Sequence, residues 1–287
     1  MDKATSEPAD QRETGQAAEK AARLEALLTP LRKVVLAFSG GVDSTFLLAV
    51  LSKDPERKVL AVTALSPTHP QQEREEARRL AQQFSVEHRE ITGDEIHLEA
   101  FRDNSPDRCY HCKKHLFSRI DEIRHREGHE VVLDGSNVDD LSDFRPGLRA
   151  LQELGVRSPL QEAGLTKADI RALSQGMGLR TWNKPSLACL ASRIPYGTEI
   201  TEEALTRIDH CEAFLLERVQ GSVRVRYHGT LARIEVEASA IPELIRHGEA
   251  VVRFFKQQGF AYVTVDLEGY RTGSMNEVLE REQKENA

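Results

Sequence analysis

Three observations in the 287-residue sequence predict an α/β protein: a doubly wound parallel sheet followed by a smaller C-terminal α+β unit. Short β-rich apolar runs alternate with longer helical stretches over the first two thirds of the chain, the pattern of βαβ units. The strands expected at residues 33–38 and 130–137 both run into glycine-containing polar loops, and ligands of open parallel sheets bind at such carboxyl ends. After about residue 198 the pattern changes to a helix, a hairpin, a helix and a last strand.

Taken in order, residues 1–20 lack apolar periodicity and are expected to form a flexible tail. ARLEALLTPLR predicts a short helix from Ala21 that ends near Pro30. KVVLAF is the first strand, buried on both faces, and SGGVDS leads from it into the apolar helix TFLLAVLSK. KVLAVTA is the second strand, QQEREEARRLAQQF a helix and VEHREIT the third strand. CYHCKKHLFSRIDEIRHRE reads as a helix, and EVVLDGSN as a strand ending in a Gly/Asn loop. TKADIRALSQGMGL is the last helix of this unit, which is expected to span residues 21–197. The loop KPSLACLASRIPYGTEI closes it. Residues 198–287 form the second unit: the helix TEEALTRIDHCEAFLLERV, a hairpin of VRVRYHG and LARIEVE through Gly229, one helix over 241–258 and the strand AYVTVDL.

Composition narrows the function. Lys and Arg number 39 against 46 Asp and Glu, a net charge of −7 that argues against nucleic acid as the main partner. With 39% hydrophobic and 30% charged residues the chain can bury a full core, which excludes collagen, rods and wholesale disorder. No apolar run approaches the roughly 20 residues that cross a bilayer, so no membrane partner is expected. Four cysteines do not make a disulfide scaffold; without an export signal they are expected to be free thiols in the cytoplasm.

The candidate chemistry begins at Ser39-Gly40-Gly41-Val42-Asp43-Ser44, between a strand and a helix. Glycines allow close backbone approach, so amide groups, the helix N-terminus and the hydroxyls of Ser39 and Ser44 can cradle an anion. Asp43 would repel a bare phosphate and is assigned instead to Mg²⁺. No lysine follows the glycines, so this is not the loop of γ-phosphate-cleaving ATPases. Cys189 lies on a loop bracketed by Pro185 and Pro195, with Arg193 four residues on to favour its thiolate. Cys109 and Cys112 form a CxxC at a helix start, open to metal binding, redox pairing or plain packing. With Cys189 they could hold three irons of a [4Fe–4S] cluster whose fourth iron carries sulfide. Arg224 and Arg226 share one face of a strand and suit a phosphate or carboxylate; Glu235 and Arg271 are weaker candidates. Cys211 and Trp182 read as packing residues.

SGGVDS resembles the PP-loop of the ATP pyrophosphatase superfamily, and PSLACLASRIPYGTEIT resembles the signature loop of the LarE-type sulfur transferases. The likeness runs through DGSNVDDLSDFRPG to the C-terminal arginines. It implies an enzyme that uses ATP and Mg²⁺ to adenylate a carboxylate of pyridinium-3,5-biscarboxylic acid mononucleotide, forming thiocarboxylate for the nickel-pincer cofactor of lactate racemase. It also implies that Cys189 delivers the sulfur. Cys189 would do so sacrificially, leaving dehydroalanine, or as a [4Fe–4S] ligand with Cys109 and Cys112. Asp143 and Arg145 would lie near substrate or metal, and Arg193, Arg224 and Arg226 near substrate. A homo-oligomer, a hexamer among the options, and docking of other maturation proteins follow from the same resemblance. The PP-loop alone leaves two alternatives open, a tRNA thiolation enzyme and an ammonia-using synthetase.

Overall fold

The computed structural model describes residues 9–141, 146–185, 188–271 and 273–274. Helix α1 (Ala9–Leu28) precedes strand β1 (Lys33–Ala37), which runs into α2 (Val42–Leu51) and β2 (Lys58–Leu65). Helix α3 (Gln71–Gln83), strand β3 (Glu87–Thr92), a single turn α4 (Glu99–Arg102) and the long α5 (Arg108–Glu127) follow. Strand β4 (Val131–Leu133) then leads into α6 (Gly147–Glu153), α7 (Pro159–Glu162) and α8 (Lys167–Gly176). The strands are all parallel in the order β3-β2-β1-β4, with Val34 opposite both Val59 and Val131.

Alternation along β1 explains the two-sided burial. Val34 and Leu36 join Leu24 and Leu28 of α1, Phe46 and Leu47 of α2 and Ile170 of α8 in one core. Val35 points the other way, into a core with Phe117, Ile120 and Ile123 of α5 and Leu151 of α6. Helix α2 is buried at every position except Asp43, as its apolar run from Phe46 to Leu51 requires. Each such fully buried Leu or Phe contributes about 1.5–3 kcal/mol, so this sandwich is a rigid base for the loops above it. The chain leaves β1 toward β2 on one side while β4 pairs on the other. The strand order therefore reverses between β1 and β4, and the SGGVDS and DGSN loops flank that switch point.

Two boundaries differ from the sequence reading. Helix α1 starts at Ala9, so residues 9–20 are helical where a tail was expected. Ala17 is buried and Lys20 pairs with Asp169 at 2.6 Å, which anchors this stretch to α8. In the second unit α9 (Glu202–Leu216) precedes β5 (Val223–His228) and β6 (Leu231–Val236), an antiparallel hairpin. The one expected helix is two, α10 (Ile241–Arg246) and α11 (Gly248–Gln257), and β7 (Tyr262–Val265) pairs parallel to β6. Val223, Val225, Ile234 and Val236 face α9 and α11 across a separate core.

Asn104 clamps the junction between the units. Fully buried and held at φ +53°, it donates through Nδ2 to the carbonyls of Pro195 at 2.8 Å and Thr198 at 2.9 Å. Its own carbonyl accepts from Gly197 N at 3.0 Å.

Candidate active site

The glycine loop after β1 is built to receive an anion. Gly40 takes φ +71°, and a Cβ there would meet the Ala77 backbone at 3.0 Å. Gly41 precedes α2 without any side-chain cap, leaving the helix N-terminus open toward the loop. The Ser39 and Ser44 hydroxyls lie 3.1 Å apart across it. Gly135 of the β4 loop packs so closely that a Cβ would stand 3.0 Å from Ser44 N. Between these loops opens a cavity of about 400 Å³, lined by Ser39, Ser44, His69, Lys113, Gly135 and Asp140 among others.

Asp43 projects into this cavity from the first turn of α2. Burial pushes its carboxyl above the usual range, and the ion pair with Lys167 works against that shift. Asn137 Nδ2 approaches it at 3.4 Å, and the charge of Asp140 adds to the upward shift. Asp134 serves another purpose: it accepts from the hydroxyls of Ser136 at 2.5 Å and Ser158 at 2.6 Å and so fixes the β4 loop. Among the described residues no three His, Cys, Asp or Glu side chains are grouped to hold a metal ion. That suits Mg²⁺, which takes one or two carboxylates and completes its shell with phosphates and water. Asp43 and Asp140 fit the role.

The cysteine loop joins this cavity to the second unit. Leu190 N donates to the Thr68 carbonyl at 2.8 Å, next to His69 of the cavity wall. Lys184, at the start of the loop, donates to the Gly40 carbonyl at 3.1 Å and to Glu76 at 2.6 Å. Arg193 is turned into the protein. It is fully buried, with Nε and Nη2 on the Glu212 carboxylate at 2.9 and 2.8 Å. Its Nη1 reaches the carbonyls of Ala188 at 2.6 Å and Cys189 at 3.2 Å, and the Ser192 hydroxyl at 3.0 Å. Each of its three nitrogens donates to protein, so Arg193 shapes the loop. Burial pushes the Cys189 thiol up, and so does Cys109, while the charge of Arg193 attracts its thiolate.

Cys112 and Cys189 both pack against the cluster of Ile96, Phe101, Leu190 and Ile194. Burial raises the Cys112 thiol strongly, with Glu95, Cys189 and Cys109 adding to the shift, so the three thiols share one neighbourhood. Cys109 is exposed at the start of α5. Cys211 packs as expected, wholly buried with its thiol pushed up to about 12 by burial.

Arg224 and Arg226 lie on the sheet face opposite Val223 and Val225, as their spacing required, and both are buried. Arg226 Nη1 donates to the Ser192 carbonyl at 3.0 Å, while Nη2 pairs with Glu235 at 2.6 Å. Arg224 lies over the Tyr270 ring, 5.0 Å from its centroid, and its pKa is lowered by burial and by Arg193. Arg233 shares Glu235 at 3.0 Å, and Arg271 pairs with Glu268 at 2.9 Å. The arginine face thus abuts the cysteine loop from below. Asp143 and Arg145 lie outside the described residues. Trp182, read as a packing residue, is 36% exposed.

Comparison with known proteins decides the family. A protein of Lactiplantibacillus plantarum named pyridinium-3,5-bisthiocarboxylic acid mononucleotide synthase is 39% identical over 270 residues, 93% of this chain and 97% of its own length. The chain belongs to the LarE family. An uncharacterized protein of Synechocystis is 40% identical over 252 residues, covering 87% of this chain and 94% of that protein. Another, from Methanocaldococcus jannaschii, is 33% identical over 241 residues, 84% and 92% of the two chains. The asparagine synthase family model matches residues 25–136. That match covers the ATP-loop segment alone, whereas the LarE likeness extends over the cysteine loop and the arginine strand. The chain is therefore an enzyme of the PP-loop class, and among the described residues no helix is long and apolar enough to cross a membrane.

Sequence reasoning missed several site residues. Lys167 reaches Asp43 from a position 124 residues away, and only the cap sequence Thr-Lys-Ala-Asp marked where its helix begins. Arg108, buried beside the CxxC, stacks on Tyr196 at 4.4 Å and lowers the Cys189 pKa by its charge. Glu212, inside an amphipathic helix, carried no signal at all.

Proposed function

We propose that this enzyme adenylates a carboxylate of pyridinium-3,5-biscarboxylic acid mononucleotide with ATP and replaces the activated oxygen by sulfur delivered through Cys189. The observation that carries this reading is the double tether from the cysteine loop to the phosphate cavity, at Leu190 N to Thr68 O and Lys184 Nζ to Gly40 O. ATP phosphates occupy the cradle of Ser39, Gly40, Gly41 and Ser44 at the N-terminus of α2. Mg²⁺, held by Asp43 with Asp140, supplies charge neutralisation of the phosphates. Lys167 exchanges its hold on Asp43 for a phosphate oxygen.

The substrate carboxylate attacks the α-phosphorus, giving an acyl adenylate and pyrophosphate. The Cys189 thiolate then attacks the acyl carbon, a C–S bond forms and AMP leaves. Loss of the Cα proton and cleavage of the Cβ–S bond leave thiocarboxylate on the substrate and dehydroalanine at position 189. Arg224 and Arg226 hold the substrate's phosphate or second carboxylate. Closeness of the three thiols favours one further reading, in which Cys109 and Cys112 act with Cys189 so that the protein turns over. Homo-oligomeric assembly and docking of other maturation proteins belong to the same reading. The test is product formation by Cys189→Ala with Mg-ATP and the dicarboxylate nucleotide: pyrophosphate is released and no thiocarboxylate forms. Thiocarboxylate formed at the wild-type rate would remove Cys189 from the chemistry.

A further inference from the structure

Lys184 precedes Cys189 on the same loop and enters the reaction above only as a tether. Its surroundings fix it from two sides. Arg171 of α8 holds the backbone, donating through Nη1 to the Trp182 carbonyl at 2.9 Å and through Nη2 to the Lys184 carbonyl at 2.8 Å. The side chain is 13% exposed, with Nζ donating to Glu76 of α3 at 2.6 Å and to the Gly40 carbonyl at 3.1 Å. A sheltered ammonium needs acceptors in place of water, and one of these two belongs to the main chain of the phosphate loop. Helix α3 also backs that loop directly, since a Cβ on Gly40 would stand 3.0 Å from Ala77 Cα, beside Glu76.

The Gly40 carbonyl determines where an amide points. In a trans peptide the C=O and N–H are antiparallel, so a Gly40 oxygen drawn toward Lys184 turns the Gly41 N–H the opposite way. Gly41 N accordingly donates to Ser39 Oγ at 3.3 Å, and Ser39 and Gly41 both line the cavity. A hydrogen bond that long yields readily to a phosphate oxygen, which is a charged and stronger acceptor. Gly40, at φ +71°, has no side chain to restrict its own rotation, so a donor from outside the loop is what holds this peptide in one orientation.

We propose that Lys184 is a positioning residue that couples the two loops: the seated cysteine loop fixes the Gly41 amide for the ATP phosphates, and bound ATP holds the cysteine loop seated. The proposal rests on the reading that this cradle takes ATP and that Cys189 delivers the sulfur. Coupling of this kind is reciprocal, so the factor that loop seating adds to ATP affinity is the factor that ATP adds to loop seating. It gives the reaction an order. The loop that carries Cys189 is held down while nucleotide occupies the cradle, and it loosens once pyrophosphate and AMP have left.

Full-length wild type, Lys184→Met and Glu76→Ala test this, by calorimetric titration with Mg-ATP and by amide hydrogen exchange over residues 182–193. Exchange is followed with and without Mg-ATP, in the absence of the dicarboxylate nucleotide. Leu190 N, bonded to the Thr68 carbonyl at 2.8 Å, reports seating of the loop. In wild type Mg-ATP should slow exchange across this segment. In Lys184→Met the segment should exchange faster before ATP is added, and ATP affinity should fall about 5- to 150-fold, the usual span of coupling between sites. Glu76→Ala changes a side chain that is 37% exposed, so the fold survives, and both readouts should shift the same way by a smaller factor. With the dicarboxylate nucleotide and saturating Mg-ATP, Lys184→Met should release pyrophosphate within a few fold of wild type, which places the loss in KM. Faster loop exchange with wild-type ATP affinity overturns the coupling and leaves Lys184 a staple. Weaker ATP binding with unchanged loop exchange also overturns it and makes Lys184 a direct phosphate ligand. Failure of the underlying reading looks different: wild-type protein would then bind no ATP, or would release pyrophosphate without forming thiocarboxylate.

Discussion

Replacing Arg193 by Met separates a loop-shaping role from substrate binding. The guanidinium is wholly buried, with two donors on Glu212 and a third on two loop carbonyls and Ser192. Removing it leaves the Glu212 carboxylate buried with Val225 N, at 2.8 Å, as its remaining donor among the described residues. An uncompensated buried charge of this kind costs about 3–5 kcal/mol. At roughly 2–4 °C per kcal/mol for a chain of this size, the melting temperature should fall by about 6–20 °C. The double variant Arg193→Met, Glu212→Met removes both charges; it leaves Val225 N without an acceptor, a cost of about 1–3 kcal/mol, and shares with the single variant the loss of the donor to the Ala188 carbonyl. It should therefore melt several degrees above the single variant. Thermal unfolding by circular dichroism reads both. A single variant melting within about 2 °C of wild type, with weakened substrate binding instead, would show that Arg193 contacts substrate and refute this reasoning.

Lys167→Met should raise the KM for ATP by about 10- to 100-fold in a pyrophosphate-release assay, the worth of one charge-assisted hydrogen bond. Asp43→Asn should abolish pyrophosphate release without lowering the melting temperature near neutral pH. The sign follows from its raised pKa: a carboxyl whose folded-state pKa lies above its unfolded value costs stability where it is ionised, at higher pH, and asparagine removes that cost. Gly135→Ala should slow pyrophosphate release at least tenfold while the far-ultraviolet dichroism stays unchanged, because its Cβ would press on Ser44 N. Cys211→Ala should cost about 1 kcal/mol in stability and nothing in sulfur transfer. In the wild type, Cys211 should alkylate at pH 8 only on unfolding, since its thiol is pushed up to about 12.

What could be read from the sequence was whatever local spacing encodes. The SGGVDS loop follows a buried apolar run and precedes the apolar stretch TFLLAVL, so the strand–loop–helix cradle was visible in the sequence. Arg224 and Arg226 were placed on one face by the period of two along a strand, and β5 bears that out. Contacts between distant segments were not legible. Arg193 looked like a cation facing Cys189 because its carboxylate partner sits 19 residues away on α9. Lys167 and Thr68 reach the site from two separate elements, and neither carries a local motif for it. The onset of α1 was missed for another reason. ADQRETGQAAEK has no apolar stripe, yet its Ala, Gln, Glu and Lys content favours a helix once Ala17 and Lys20 are docked.

The central claim is that sulfur leaves the protein through Cys189 after ATP has activated the substrate. Intact-protein mass spectrometry of anaerobically prepared enzyme, before and after Mg-ATP and pyridinium-3,5-biscarboxylic acid mononucleotide, tests it most directly. The account predicts a loss of one H₂S that maps to position 189 and depends on both ATP and nucleotide. Thiocarboxylate formed with the mass of the protein unchanged, and formed equally by Cys189→Ala, would contradict it.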